Sequence, residues 1–186
     1  RALNRSGLPV AYTLGFNPRQ KLVFGLPMSI GLTSSAEYAD IEFDRDVSPE
    51  EFMESLNRCL PEGIEVLEAV PLSTRDNIMN QIAAARYDIV FETEKARSLY
   101  EMEAMVHAML QKEEISVLKK TKKGIRPVNI RPLIFSLVVH KIDINQFVLE
   151  AFLSAGSENN LRADLLTTAF MAETEPSIKI CSMHRK

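Results

Sequence analysis

Long apolar runs are missing from this 186-residue chain. The stretch from Leu133 to Val139 is strand-sized, far short of the roughly 18–20 apolar residues that cross a bilayer as a helix. No secretory signal stands at the start, and the first residue is Arg1 rather than Met, so the natural beginning is expected to lie upstream. Cysteine is scarce. Cys59 and Cys181 are too few for a disulfide framework, and reduced thiols in a cytoplasmic chain are the expectation.

Catalytic and metal-binding signatures are equally sparse. There is no P-loop and no G-x-S-x-G elbow. No C-x3-C-x2-C triplet occurs, so this chain by itself lacks the ligands for the iron–sulfur cluster of a radical enzyme. Cys181 and His184 have a C-x-x-H spacing. On a strand, that odd separation sends the two side chains to opposite faces, and structural zinc wants four ligands. A core cysteine and an exposed terminal histidine are expected instead. His140 and Asp143 would likewise diverge, and His107, between Met105 and Met109 on a helix, reads as structural. An enzyme that acts alone is therefore not the expectation.

What is present is ordinary globular material: 46% hydrophobic and 25% charged residues, which excludes a disordered or collagen-like chain. The length accommodates one large domain or two small ones. Net charge is −3, but it is unevenly spread. Between Lys112 and Arg131, seven cations face two acids, a local balance of +5 that leaves −8 on the rest. Such polarity bears on partners and steering rather than on fold.

Along the chain, Arg1 to Ser6 reads as the last turns of a helix closed by Gly7. Short strands are expected at Lys21–Phe24 and Ala36–Phe43. Ser48-Pro-Glu-Glu51 is a helix start with a capping box and Pro at the first helical position. Pro61 and Gly63 stop that helix, and Ile64–Leu72 is expected as a strand. Residues 75–85 form a polar connector. A second series follows: a strand at Arg86–Phe91, a helix at Lys95–Leu110 and a hairpin pairing Ile115–Thr121 with Ile125–Ile130. Strands near Leu133–Lys141 and Asn145–Leu153, a helix within Ser157–Met171 and a last strand at Ile178–Met183 complete it. The fold class expected is α+β, two tandem ferredoxin-like βαββαβ units. The first, residues 1–74, lacks its N-terminal strand; the second, residues 86–186, carries inserted strands.

Three segments could bind ligands. The glycine-bounded segment after Gly15 presents Asn17, Arg19 and Lys21; equally, Asn17-Pro18 restricts the backbone of a structural turn and Phe16 plugs the core. The loop Ser154 to Arg162 precedes a helix. Its backbone N–H groups, with Ser157, Asn160 and Arg162, suit an anion, or it is a capped loop with Asn159 or Asn160 as N-cap. The hairpin concentrates Lys119, Lys120, Lys122, Lys123 and Arg126, with Arg131 just beyond. Strand alternation sets Lys120 with Lys122 on one face and Lys119 with Thr121 on the other. No aromatic interleaves the run for base stacking, but phosphate contact needs none. The same run also reads as a solvated face or as a surface for an acidic protein.

Gly7-Leu-Pro-Val-Ala-Tyr-Thr-Leu-Gly-Phe-Asn-Pro18, continued by Lys21 to Phe24, Gly31 and Glu37-Tyr-Ala-Asp40, resembles the opening of the radical SAM-linked domain of unknown function. Thr121-Lys-Lys-Gly124 with Asn129-Ile-Arg-Pro-Leu-Ile134 resembles that family's middle. Ser154-Ala-Gly-Ser157 with Asn160-Leu-Arg162 resembles its C-terminal loop and helix. The family tends to have His-Pro where Arg19-Gln20 stand, and Asp where Asn129 stands.

The resemblance implies an accessory domain, fused to or encoded beside a radical SAM protein and often near an RNase of the E/G type, with RNA as the candidate substrate. S-adenosylmethionine and the iron–sulfur cluster would belong to the radical SAM partner, and no cofactor to this chain. The leading expectation is a non-catalytic domain that recognises RNA or docks the radical SAM protein, with no membrane partner. The alternatives are a catalytic domain using the Asn17/Arg19/Lys21 loop and a purely structural interaction module.

Overall fold

The computed structural model describes residues 1–72, 76–121, 124–157, 159–173 and 178–186. In chain order the elements are α1 (Ala2–Arg5), β1 (Leu22–Phe24), β2 (Leu32–Ser34), β3 (Ala39–Ile41), α2 (Pro49–Asn57) and α3 (Ile78–Gln81). They continue with β4 (Ala84–Thr93), α4 (Leu99–Leu110), β5 (Ser116–Thr121), β6 (Gly124–Asn129), β7 (Ile134–Lys141), β8 (Gln146–Ser154), α5 (Ala163–Glu173) and β9 (Ile178–Arg185). The fold is mixed α+β, with antiparallel and mixed sheets. Among the described residues no helix is long and apolar enough to cross a membrane.

Two units are built from discontinuous chain. Arg1–Gly25 and Tyr38–Ile78 form the first, Leu26–Glu37 and Met79–Lys186 the second. The crossing at residues 78–79 falls within the connector expected at 75–85. The excursion of residues 26–37 into the second unit has no counterpart in the expected 1–74 and 86–186 division. A hydrogen bond from the Gly25 N–H to the Tyr38 carbonyl, 2.8 Å, closes the first unit where the excursion leaves and returns.

In the first unit, Leu8, Val10 and Leu56 are the buried centre, with Ile41, Phe43, Phe52 and Val66 packed around them. Phe43 meets Phe52 edge-on at 5.8 Å. The start of α2 is as the sequence dictates: the Ser48 side chain accepts from the Glu51 N–H and Pro49 occupies the first turn. The capping box is not closed, because Glu51 turns to Arg45 at 2.8 Å.

A βαββαβ first unit is not what the described residues form. Their one sheet there is the two-stranded β1–β3 pair, and Ile64–Leu72 is not a strand. The reason is local. Asn57 donates to the Val66 carbonyl at 3.1 Å and accepts from its N–H at 2.8 Å, taking the backbone groups that a strand ladder would use.

The second unit carries a five-stranded sheet in the order β2-β9-β4-β8-β7. Its last four members are antiparallel to their neighbours, and β2 joins β9 in parallel. In chain order these four strands and two helices run β4-α4-β7-β8-α5-β9, with the β5–β6 hairpin inserted after α4. Alternation decides the core. Ala85, Tyr87, Ile89 and Phe91 of β4, and Phe147, Leu149, Ala151 and Leu153 of β8, are buried, while the residues between them are not.

Phe91 stacks on Phe147 at 5.6 Å and meets Phe170 of α5 edge-on at 5.3 Å. Each such buried aromatic contributes roughly 1.5–3 kcal/mol. Met102, Val106 and Met109 supply the buried stripe of α4. That helix begins at Ser98, whose side chain and that of Glu101 close a reciprocal capping box.

Cys181 corrects one expectation. It is exposed rather than in the core. The pairing with β4 slips between Val90 and Phe91, whose partners are Ser182 and Ile180, so Cys181 is the bulged residue left between them. Among the described residues, no group of three His, Cys, Asp or Glu is placed to hold a metal.

Candidate functional site

The basic hairpin forms, with Thr121 paired to Gly124. Lys119 stands opposite Arg126, Lys120 opposite Ile125 and Leu118 opposite Pro127. Directly opposed residues share a face, so Lys119 and Arg126 crowd two cations on the side that carries buried Val117. Lys120 lies on the other side with the exposed Leu118 and Ile125. Lys122 and Lys123 lie outside the described residues.

Arg131 has a different occupation. Its Nε donates to the Leu110 carbonyl at 2.9 Å and its Nη1 to the Ile134 carbonyl at 3.2 Å. A guanidinium that satisfies the orphan carbonyl at the end of α4 is a helix cap, so this cation serves the fold. Asn129 is likewise structural, accepting from the Ile115 and Arg131 N–H groups, each at 3.0 Å.

The glycine-bounded loop belongs to the first unit. Thr13 and Arg19 clasp its neck: the Thr13 N–H donates to the Arg19 carbonyl at 2.8 Å, and the Arg19 N–H to Thr13 Oγ1 at 3.0 Å. Lys21 pairs with Glu42 at 2.6 Å. Asn17 and the Arg19 side chain are exposed. Phe16 does not plug the core; it is fully exposed at 105%, beside Leu14 at 101%. Asn17, Arg19 and Lys21 therefore present one neutralised amine and two unburied polar groups, with no acid–base partner drawn close among the described residues.

The Ser154–Arg162 loop lies in the second unit and borders a cleft of about 300 Å³. Leu26, Pro27, Ile30, Leu32, Met183 and Ala163 form its apolar lining; Ser29, Tyr87, Asn160, Arg162, Asp164 and Arg185 are the polar groups. Ser157 is exposed and is not among the lining residues.

Gly156 fixes the loop. Its φ is +117°, and a Cβ there would sit 2.1 Å from the Ile82 carbonyl oxygen. Neither Asn159 nor Asn160 caps α5, which starts later, at Ala163; the Leu165 and Leu166 N–H groups reach back to the Arg162 carbonyl. Arg162 itself forms a bidentate pair with Asp164, at 2.8 and 2.6 Å.

Arg185 is the most buried cation on the cleft, 4% exposed. It grips Glu37 with two N–H groups and reaches the Leu26 carbonyl at 3.3 Å. Burial works to lower its pKa, but hydrogen bonds and charge from Glu37 and Tyr87 outweigh it and hold the guanidinium above its ordinary value. Sequence reasoning missed Tyr87, Arg185 and residues 26–32. The signal was faint: an Arg at an inward position of a strand whose alternation the Cys181 bulge breaks.

On the sheet face opposite the buried row, Phe135 of β7 packs on Phe152 of β8 at 5.3 Å, and the Arg86 guanidinium lies 4.4 Å over the Phe152 ring. Phe135 is 53% exposed and Val138 46%.

An α+β chain with a cationic hairpin and one mixed sheet is thus the class that the fold defines. The chain belongs to the family described as an uncharacterized protein conserved in bacteria (DUF2344), which matches residues 1–163. No curated protein matches it. Among solved structures, the Cbf5-Nop10-Gar1 complex aligns with a TM-score of 0.52 at 8% identity, over 90% of this chain and 40% of that one. The archaeal box H/ACA sRNP Nop10-Cbf5 complex aligns with a TM-score of 0.44 at 10% identity, over 89% and 37%. This chain spans well under half the length of either, and the first likeness shows the fold alone.

Proposed function

We propose that this protein is a non-catalytic accessory domain that recognises RNA through the β5–β6 hairpin, on a ferredoxin-like second unit, in a system whose chemistry is carried by a radical SAM protein. The observation that carries the reading is the Lys119–Arg126 pair. Two cations placed directly across a two-stranded ribbon repel one another, and in a chain of net charge −3 that arrangement is stabilised by an anionic partner. A phosphate backbone supplies the matching charge without demanding aromatic contacts. The radical SAM partner rests on the family resemblance of the three sequence segments. The test is RNA binding by electrophoretic retardation, with and without that partner. Parent protein should retard RNA, and the variant carrying Lys119→Glu, Lys120→Glu and Arg126→Glu should not; equal retardation would contradict the reading.

A second reading, docking of the radical SAM protein, is favoured by the apolar Phe135, Phe152 and Val138 group on the open sheet face. Exposed aromatics beside an Arg are the composition of protein interfaces. Phe135→Ser should weaken co-purification with the partner and leave RNA retardation unchanged. The catalytic alternative finds less support, since Lys21 is neutralised by Glu42.

A further inference from the structure

We propose that the cleft of the second unit binds a single unpaired nucleobase against its apolar lining, with Asn160 reading the base edge. This rests on the RNA reading above and names the part of the nucleic acid that the hairpin leaves unread. The charges decide against the simpler idea of an anion site. Arg185 is already compensated by Glu37, and Arg162 by Asp164, so both cations among the described lining residues already have a carboxylate partner.

What it offers is a cleft of about 300 Å³ whose lining includes Leu26, Ile30 and Met183, at the small end of ligand-binding clefts. Asn160 lines the cleft half-exposed, and its amide has no partner among the described residues. An amide offers both a donor and an acceptor, the complement of a base edge. Ser29 adds a hydroxyl on the same lining. A neutral planar ligand with alternating donors and acceptors fits such a site, and a base is the part of RNA with that chemistry.

The experiment is calorimetric titration of the full chain with adenosine, guanosine, cytidine and uridine, their 5′-monophosphates, and inorganic phosphate. At least one nucleoside should bind with a Kd on the order of 1 mM or tighter, its monophosphate within a few-fold, and phosphate not at all. Asn160→Ala should weaken that binding about tenfold, as expected for a base-edge contact. Ile30 is fully exposed at 104%, so Ile30→Ala is a second variant that leaves folding intact and should also weaken it.

No nucleoside binding, phosphate binding as tight as the monophosphates, or affinity unchanged in both variants would overturn the proposal. The hairpin variant separates the two readings. It should retain nucleoside binding while losing oligonucleotide binding; loss of nucleoside binding in it would count against the cleft. If nucleosides bind and oligonucleotides do not, the cleft stands and the RNA reading falls.

Discussion

Lys119 and Arg126 stand directly opposite one another in the β5–β6 ribbon, two cations on one face. Like charges in that position destabilise a hairpin, and opposite charges stabilise it by roughly 0.2–1 kcal/mol. Lys119→Glu should therefore raise the stability of the second unit slightly while lowering RNA affinity. Thermal unfolding and an RNA titration of the same variant check both signs. A variant that loses stability along with binding would mean that the hairpin had been disrupted rather than discharged.

Gly156 and Gly15 have similar backbone angles, with φ of +117° and +125°, but different surroundings. Either substitution to Ala carries a backbone strain of about 1–3 kcal/mol. Gly156→Ala also drives a methyl against the Ile82 carbonyl, adding roughly 1–3 kcal/mol of overpacking, whereas a Cβ at Gly15 meets nothing within 4 Å. Denaturant unfolding should rank Gly156→Ala as much the more costly.

Glu37 is the counter-ion of a guanidinium that is otherwise buried. Glu37→Ala leaves Arg185 charged and uncompensated beneath the cleft, which should cost about 3–5 kcal/mol by the behaviour of broken buried pairs. Arg185→Met with Glu37→Ala, which removes both charges, should recover most of that loss. Chemical denaturation of the single and double variants measures it.

The Glu101 carboxylate is held below the ordinary carboxylate range, first by the Ser98 N–H and then by the Ser98 hydroxyl and Arg97. A carboxylate with a lowered folded pKa contributes stability above its unfolded pKa and loses it as pH falls through the folded one. Stability should therefore decline as the solution is acidified below the ordinary carboxylate range. Glu101→Gln should flatten that part of the pH profile, as followed by unfolding at a series of pH values.

Elements made by nearby residues were legible in the sequence. The α2 cap at Ser48, the existence of the β5–β6 hairpin and the alternating rows of β4 and β8 follow from spacing alone, and all are present. Elements made by distant partners were not. Leu32–Ser34 becomes a strand because it pairs with residues 183–185, about 150 positions away, through a segment of three residues with no periodicity to read. The strand expected at Ile64–Leu72 fails because one side chain, Asn57, takes the Val66 backbone.

The candidate residues divide the same way. Lys119, Lys120 and Arg126 were visible as a charge run. Arg131 belonged to the same run but caps a helix, and Arg162 looked like an anion ligand until Asp164 claimed it. Tyr87 and Arg185 meet only through the folded sheet.

The central claim, that the hairpin recognises RNA by its phosphates, is tested most directly by the salt dependence of single-stranded RNA affinity. Each phosphate contact should contribute a slope of about −0.7 in a plot of log affinity against log salt. Removing Lys119, Lys120 and Arg126 as contacts by substitution with Glu should flatten that slope by about 2 and weaken all sequences alike. A slope and an affinity that are the same in parent and variant would contradict the account.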